Sequence, residues 1–248
     1  MIDDVLTVAR KELKEHLFTG TGLRGGRFGL LVMLVVFGVV LPSQNGVEWL
    51  LSPAPMLVWS WVPLFLVAGV VADSFAGERE RHTLETLLAS RLPDQAILLG
   101  KVTAAVAYAW GFTLVTAVVS AASVNAFDWQ GRVVLFPPAI VAGVAVFSLL
   151  TAVGMAAAGV LVSLRAPTVR QAAQALSAGV MVLLFVPIFG IRALPPETRA
   201  VGAAWVAAVN LPALLAGVVG LLVLLDALLL AACFARFRRA RLITEADS

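Results

Sequence analysis

Long apolar runs separated by short charged clusters dominate this chain. A helix needs about 20 apolar residues to cross about 30 Å of hydrocarbon. By that measure Phe28–Leu41, Leu50–Ala72, Val102–Phe127, Val133–Leu164, Ala175–Ile191 and Leu211–Ala235 read as six membrane-crossing helices. The first is short and needs Pro42–Val47 to reach the far interface, and Pro63 predicts a kink in the second. The last apolar stretch, from Val201, is too long for one span and is interrupted at Asn210–Leu211–Pro212. Val201–Val209 is therefore set apart, inside an outer segment 192–209 that re-enters the bilayer or lies at its surface. The pattern predicts an all-α integral membrane protein built as one transmembrane domain over 1–248.

Ahead of the first span, Val5, Ala9, Leu13 and Leu17 recur every four residues with Ile2 and Leu6 beside them. Arg10, Lys11, Lys14 and Glu15 occupy other faces. Segment 3–18 is thus an amphipathic helix. Two readings stand: a helix lying on the membrane surface, or a small cap packed against the chain itself.

Composition agrees, with 60% hydrophobic and 13% charged residues, against roughly a quarter charged in an ordinary soluble domain. Of the 18 Lys and Arg only Arg132, Arg192 and Arg199 fall on one side of the spans; the rest gather on the other. That bias predicts both ends in the cytoplasm, with 236–248 as a cytoplasmic tail. It also accounts for the net charge of +3 without nucleic acid. The first apolar run follows a segment carrying Asp3, Asp4, Glu12 and Glu15, and no small-residue cleavage pattern follows Leu41, so it reads as a retained span. A single cysteine, Cys233, excludes an internal disulfide, and His16 and His82 lie too far apart for metal-ligand spacing.

The densest mixture of charges is the connection 73–101, DSFAGERERHTLETLLASRLPDQAILLGK. Leu84, Leu87 and Leu88 make an apolar face at helical spacing, flanked by Glu80, Arg81, Glu85 and Arg91, and Ser90–Asp94 breaks the helix. Asp73 stands at the end of the second span, within reach of backbone amides or Arg79. A short amphipathic helix here either docks into a partner's groove or packs on the chain's own spans.

Glu78–Arg81, Thr83–Glu85, Leu87–Leu88, Ser90–Pro93 and Gly100–Lys101 fall in the order of the cytoplasmic signature of ABC-2-type permeases, the membrane subunits of bacterial ABC exporters, which this segment resembles. It departs at His82, where glycine is common, and at Arg91–Leu92, where threonine or serine more often precedes the proline. The close match covers about 25 residues, and the layout match the whole chain. The resemblance implies two permease chains, identical or different, in the cell inner membrane. Each would contact a separate ATP-binding subunit that holds ATP and Mg. Glu78, Arg79, Glu80, Arg81, Thr83, Leu84, Glu85, Leu87, Leu88 and Arg91 would then dock that subunit, the charges setting register and the leucines supplying apolar contact.

No phosphate-binding loop is present, since Gly100–Lys101 is followed by Val102 and lacks the upstream glycine. No catalytic cluster or cofactor site stands out either. The one acidic residue deep in a predicted span is Asp226, ten residues before Arg236 and so about 15 Å into the bilayer by helical rise. It reads as a cargo or proton site on the pathway, or as a hydrogen-bonded group joining helices. Gly143, Gly154, Ala158 and Gly159 read as close-packing positions. Beside the exporter permease stand a haem-exporter-type channel subunit, an ATP-independent secondary transporter and a membrane-embedded lipid-modifying enzyme.

Overall fold

The computed structural model describes residues 1–16, 24–81, 91–208 and 210–237, with backbone alone for 24–27, 203, 206 and 207. All regular structure among them is helical. In chain order the helices are α1 Ile2–Lys14, α2 Arg24–Val35, a π-helical turn Val36–Val40 that runs into α3 Leu41–Asn45, and α4 Val47–Leu51. Then come α5 Ala54–Glu80, α6 Asp94–Phe127, α7 Pro138–Ser163, α8 Val169–Ala193, α9 Pro196–Ala208 and α10 Leu211–Arg236. Six segments are long and apolar enough to cross a membrane: Phe28–Asn45, α5, α6, α7, α8 and α10. This is a multi-pass membrane protein.

The span count agrees with the hydrophobic pattern, and the ends differ in instructive ways. The first span does recruit residues beyond Leu41, reaching Asn45 before Gly46 turns the chain at a φ of 57°. That turn is held by Asp128, whose Oδ2 accepts the Val47 amide at 2.9 Å. Trp49 and Leu50, expected at the head of the second span, belong instead to α4, cut off by Ser52 and Pro53. The fourth span begins at Pro138 rather than Val133, because the 133–137 stretch is irregular and is held through Asn125. The Asn125 amide nitrogen donates to the Val134 carbonyl, and its oxygen accepts the Val134 amide, both at 2.8 Å. The segment before the last span is a 13-residue helix, α9, exposed throughout its described side chains.

α5 forms the axis of the bundle. It packs most extensively on α7, and also on α6 and α8. Half of its spanning window is buried, against 6% for α10. Small residues let α7 approach: a Cβ on Gly159 would fall 2.8 Å from Val71 Cγ1 of α5, and one on Gly143 2.7 Å from the Met56 sulfur. Near α4, Trp49 and Trp59 meet edge to face at 5.9 Å, and Trp59 meets Phe136 at 5.5 Å. The Trp49 indole N–H donates to Ser120 Oγ at 3.1 Å. Pro42, four residues on, has no N–H to offer the Gly38 carbonyl, and Ser123 Oγ of α6 donates to it at 2.8 Å.

With 34 residues, α6 is roughly 50 Å long, well beyond a bilayer's hydrocarbon. The excess lies at its N-terminal end, where α1 packs along it. That end of the bundle also carries the close of α5, the α7–α8 turn and the close of α10, and is called the basic end below.

Candidate functional site at the basic end

α1 presents Val8, Ala9 and Glu12 to the bundle as its buried face, and leaves Ile2, 73% exposed, and Leu6, 44% exposed, on an adjoining flank. The apolar stripe read from the sequence is therefore divided between packing on the chain and an outward face. Gly100 makes the packing possible. A Cβ there would lie 2.5 Å from Val8 Cβ and 3.2 Å from the Val5 carbonyl oxygen, so any side chain would push α1 away.

One residue further along α6, Lys101 is 4% exposed. Its ammonium donates to Glu12 Oε1 of α1 at 2.9 Å, to Glu78 Oε1 of α5 at 2.8 Å and to the Ser74 carbonyl at 3.0 Å. The Phe75 ring lies 5.3 Å from the nitrogen. An ammonium has three hydrogens, and each finds an oxygen. A buried charge is tolerated under that condition. Lys101 thereby ties α1, α5 and α6 at one point.

The next two residues of α5 reach the other way. Arg79 donates from Nη1 to the Ala166 carbonyl at 2.7 Å and from Nη2 to the Leu164 carbonyl at 2.9 Å. These carbonyls follow the last turn of α7, where helix geometry leaves acceptors unpaired and the dipole is negative. Glu80 Oε1 accepts the amide of Val169, the first residue of α8, at 2.9 Å. An acidic group suits that positive end, and Thr168 caps the same turn by accepting the Gln171 amide at 3.2 Å. A cation on one helix end and an anion on the next fix the α7–α8 turn to α5.

Deeper in, the buried Ser163 hydroxyl of α7 accepts the Phe75 and Ala76 amides at 3.2 and 3.0 Å and donates to the Ala72 carbonyl at 3.2 Å. Asp73 pairs with Arg81, two helical turns along, through Nη1–Oδ1 at 3.2 Å and Nη2–Oδ2 at 3.3 Å. It does not pair with Arg79, whose guanidinium is engaged on α7. Gly77 lies under that bridge, since a Cβ there would collide with Asp73 Oδ1.

Of the residues assigned from the sequence to docking, Thr83, Leu84, Glu85, Leu87 and Leu88 lie outside the described residues. Glu78 is buried on Lys101, Arg79 is half-buried on the α7–α8 turn, and Glu80, Arg81 and Arg91 are exposed. The stretch read as a loop over 73–101 is largely helix: α5 continues to Glu80 and α6 starts at Asp94. Glu12, Ser74, Lys101 and Ser163 were not singled out by the sequence reading as members of this network. A signal for Glu12 existed, because it continues the Val5, Val8, Ala9 face of α1 by helical spacing. Ser163, a single hydroxyl ending an apolar helix, had none.

His16, just beyond α1, lies 6.3 Å ring to ring from Tyr108 of α6. Burial lowers its pKa from the ordinary histidine value, against the pull of Glu12 and Asp73. Asp226, the intramembrane carboxylate, is far from this network and is buried where α10 meets α7, opposite Gly154.

A family model described as ABC-2 family transporter protein matches residues 9–201. No curated protein matches the chain.

Proposed function

We propose that this chain, which belongs to the ABC-2 family of transporter proteins, is the permease subunit of an ABC exporter. In this reading two such chains enclose the pathway in the cell inner membrane, and separate ATP-binding subunits supply the work of nucleotide hydrolysis. The family match over residues 9–201 carries the reading. The excess of Lys and Arg at the basic end supports a cytoplasmic position for it, where a soluble ATPase would meet it.

The polar network supports a specific route for the work. The connection 81–93 joins α5 to α6, and the network fastens the roots of that connection to the rest of the bundle. Lys101 binds α6 to α1 and α5, while Arg79 and Glu80 bind α5 to the α7–α8 turn. A push on the connection therefore moves α1, α5, α6 and that turn together. Glu78, Arg79 and Glu80 act in this reading as anchors within the chain, leaving Arg81, Arg91 and the leucines of the connection to face the ATPase.

The test is purification of the full chain from its own membranes in mild detergent, beside a Leu84→Asp, Leu88→Asp variant. The expected result is a phosphate-loop ATPase that accompanies the wild type and is lost from the variant, which still elutes as a folded, monodisperse protein. Wild-type protein that carries no such ATPase, and whose transport in vesicles is indifferent to ATP, would overturn the reading in favour of an ATP-independent transporter.

A further inference from the structure

α10 turns one stripe toward the bundle: Leu222, Asp226, Leu229, Leu230 and Cys233. Only Asp226 and Cys233 in this helix are buried, and the principal neighbour is α7. Asp226 is 5% exposed. Its Oδ1 occupies the space a side chain at Gly154 would need, 2.6 Å from the position of that Cβ. Its Oδ2 has no hydrogen-bond partner among the described residues. A smooth leucine seam would need neither the glycine nor the acid, so the slot is shaped for a carboxyl group.

Among the described residues no countercharge is near. α7 has no titratable side chain from Pro138 to Ser163, and α10 adds only Cys233, seven residues on, and Arg236 at its end. Where α10 approaches α6, Asp94 lines the same space as Phe234 and Phe237, and Phe234 lies about 12 Å from Asp226 by helical rise. A carboxylate anion shut into this seam would lack a cation and, at Oδ2, a donor among the described residues, which is costly in protein and in hydrocarbon alike. The neutral acid fits without that penalty.

We propose that Asp226 is a proton-binding site whose occupancy controls the seating of α10 on α7. With the proton bound, the neutral carboxyl lies in the Gly154 slot and the seam is closed. When the proton passes to water, the anion leaves the slot, and that edge of α10 separates from α7. The only ligand is a proton exchanged with solvent, and no other covalent bond changes. This holds for the chain alone and does not depend on an ATPase partner.

The molecule carries its own reporter. Cys233 is the only cysteine, and its buried thiol donates to the Ala157 carbonyl of α7 at 3.2 Å. In lipid nanodiscs, N-ethylmaleimide labelling of Cys233 in the full chain is followed across pH, each rate divided by that of denatured protein at the same pH. The expected ratio rises by up to about tenfold per pH unit until Asp226 is ionised. Infrared spectra of the same samples should lose a protonated-carboxyl C=O band at the same midpoint, a comparison that needs no variant. In Asp226→Asn the band is missing and the ratio stays low and flat. A wild-type ratio that is flat with pH, or a pH dependence retained in Asp226→Asn, would overturn the proposal. So would infrared spectra showing only ionised carboxylate throughout the range.

Discussion

Lys101 and Asp226 are buried to nearly the same degree, 4% and 5% exposed, and differ in what surrounds them. Lys101 meets three oxygens from two other helices. Asp226 meets the bare backbone of a glycine, and its Oδ2 meets no donor among the described residues. Burial alone does not separate a structural joint from a site; the account of partners does. A charge with every valence filled is held in one state, whereas one without partners is stable only after it binds something. The contrast follows the architecture, since the joint lies among the best-packed helices and the lone acid on the least buried span.

The comparison breaks most severely at Lys101. Lys101→Met leaves Glu12 and Glu78 facing each other in a buried space with no cation. Removing one partner of a buried ionic group costs about 3–5 kcal/mol. The expected outcome is a large fall in the detergent melting temperature, with α1 becoming susceptible to protease. Adding Glu12→Gln and Glu78→Gln to the same protein should recover most of the loss, because no uncompensated charge remains. If Lys101→Met melts like the wild type, the joint carries no weight.

Gly100 and Gly154 sharpen the contrast, since each glycine admits one neighbour. At Gly100 the neighbour is Val8, and Gly100→Ala overpacks a seam that has no slack, a cost of about 1–3 kcal/mol. Val8→Ala opens room on the opposite helix, so the double variant should be more stable than the sum of the two single changes. A double-mutant cycle on melting free energies reads that coupling directly. Strict additivity would mean that α1 is not seated on α6 through this pair.

Arg79 tests whether the joint extends to the α7–α8 turn. Arg79→Ala removes the donors from the Leu164 and Ala166 carbonyls, which are near solvent, so the loss is modest, about 1–2 kcal/mol. Faster amide exchange at Val169 and its neighbours is the expected signature. Arg79→Lys should restore only part of the protection, since one ammonium does not reproduce the two-pronged guanidinium.

The span count, the helical class and the family were legible in the sequence because each rests on a local pattern: apolar length, period, or a run of motif residues. The network was not, although several of its members lie inside the motif. Glu78, Arg79 and Gly100–Lys101 read as partner-facing or as a span opening, while their actual neighbours are Glu12, Leu164, Ala166 and Val8, each more than 80 residues away apart from the Glu78–Lys101 pair. A charge pattern shows that a segment is polar; it does not show which charges are turned inward, because that depends on the helix laid across them. Asp226 was legible as an anomaly by depth alone. What sets it apart, the absence of a countercharge among the described residues and the glycine opposite, became visible only with α7 in place.

The smallest effect expected concerns His16, which borders the Lys101 joint without joining it. Burial beside Tyr108 lowers its pKa from the ordinary value, so the unfolded chain takes up a proton before the folded one does. Its contribution to the seating of α1 is therefore complete above the ordinary histidine value and is lost as pH falls below that value through the lowered folded one. Glu12, Asp73 and Glu15 oppose the shift and Lys101 reinforces it, so the change is expected to be small. Hydrogen exchange of α1 amides, compared between neutral and mildly acidic buffer after correction for intrinsic rates, should show a small acid-induced loss of protection. His16→Phe keeps a ring against Tyr108 and cannot titrate, so that loss should vanish. An acid response of equal size in His16→Phe would assign it to the carboxylates of the joint instead, and the boundary between the satisfied charge and its surroundings would have to be drawn wider than Lys101.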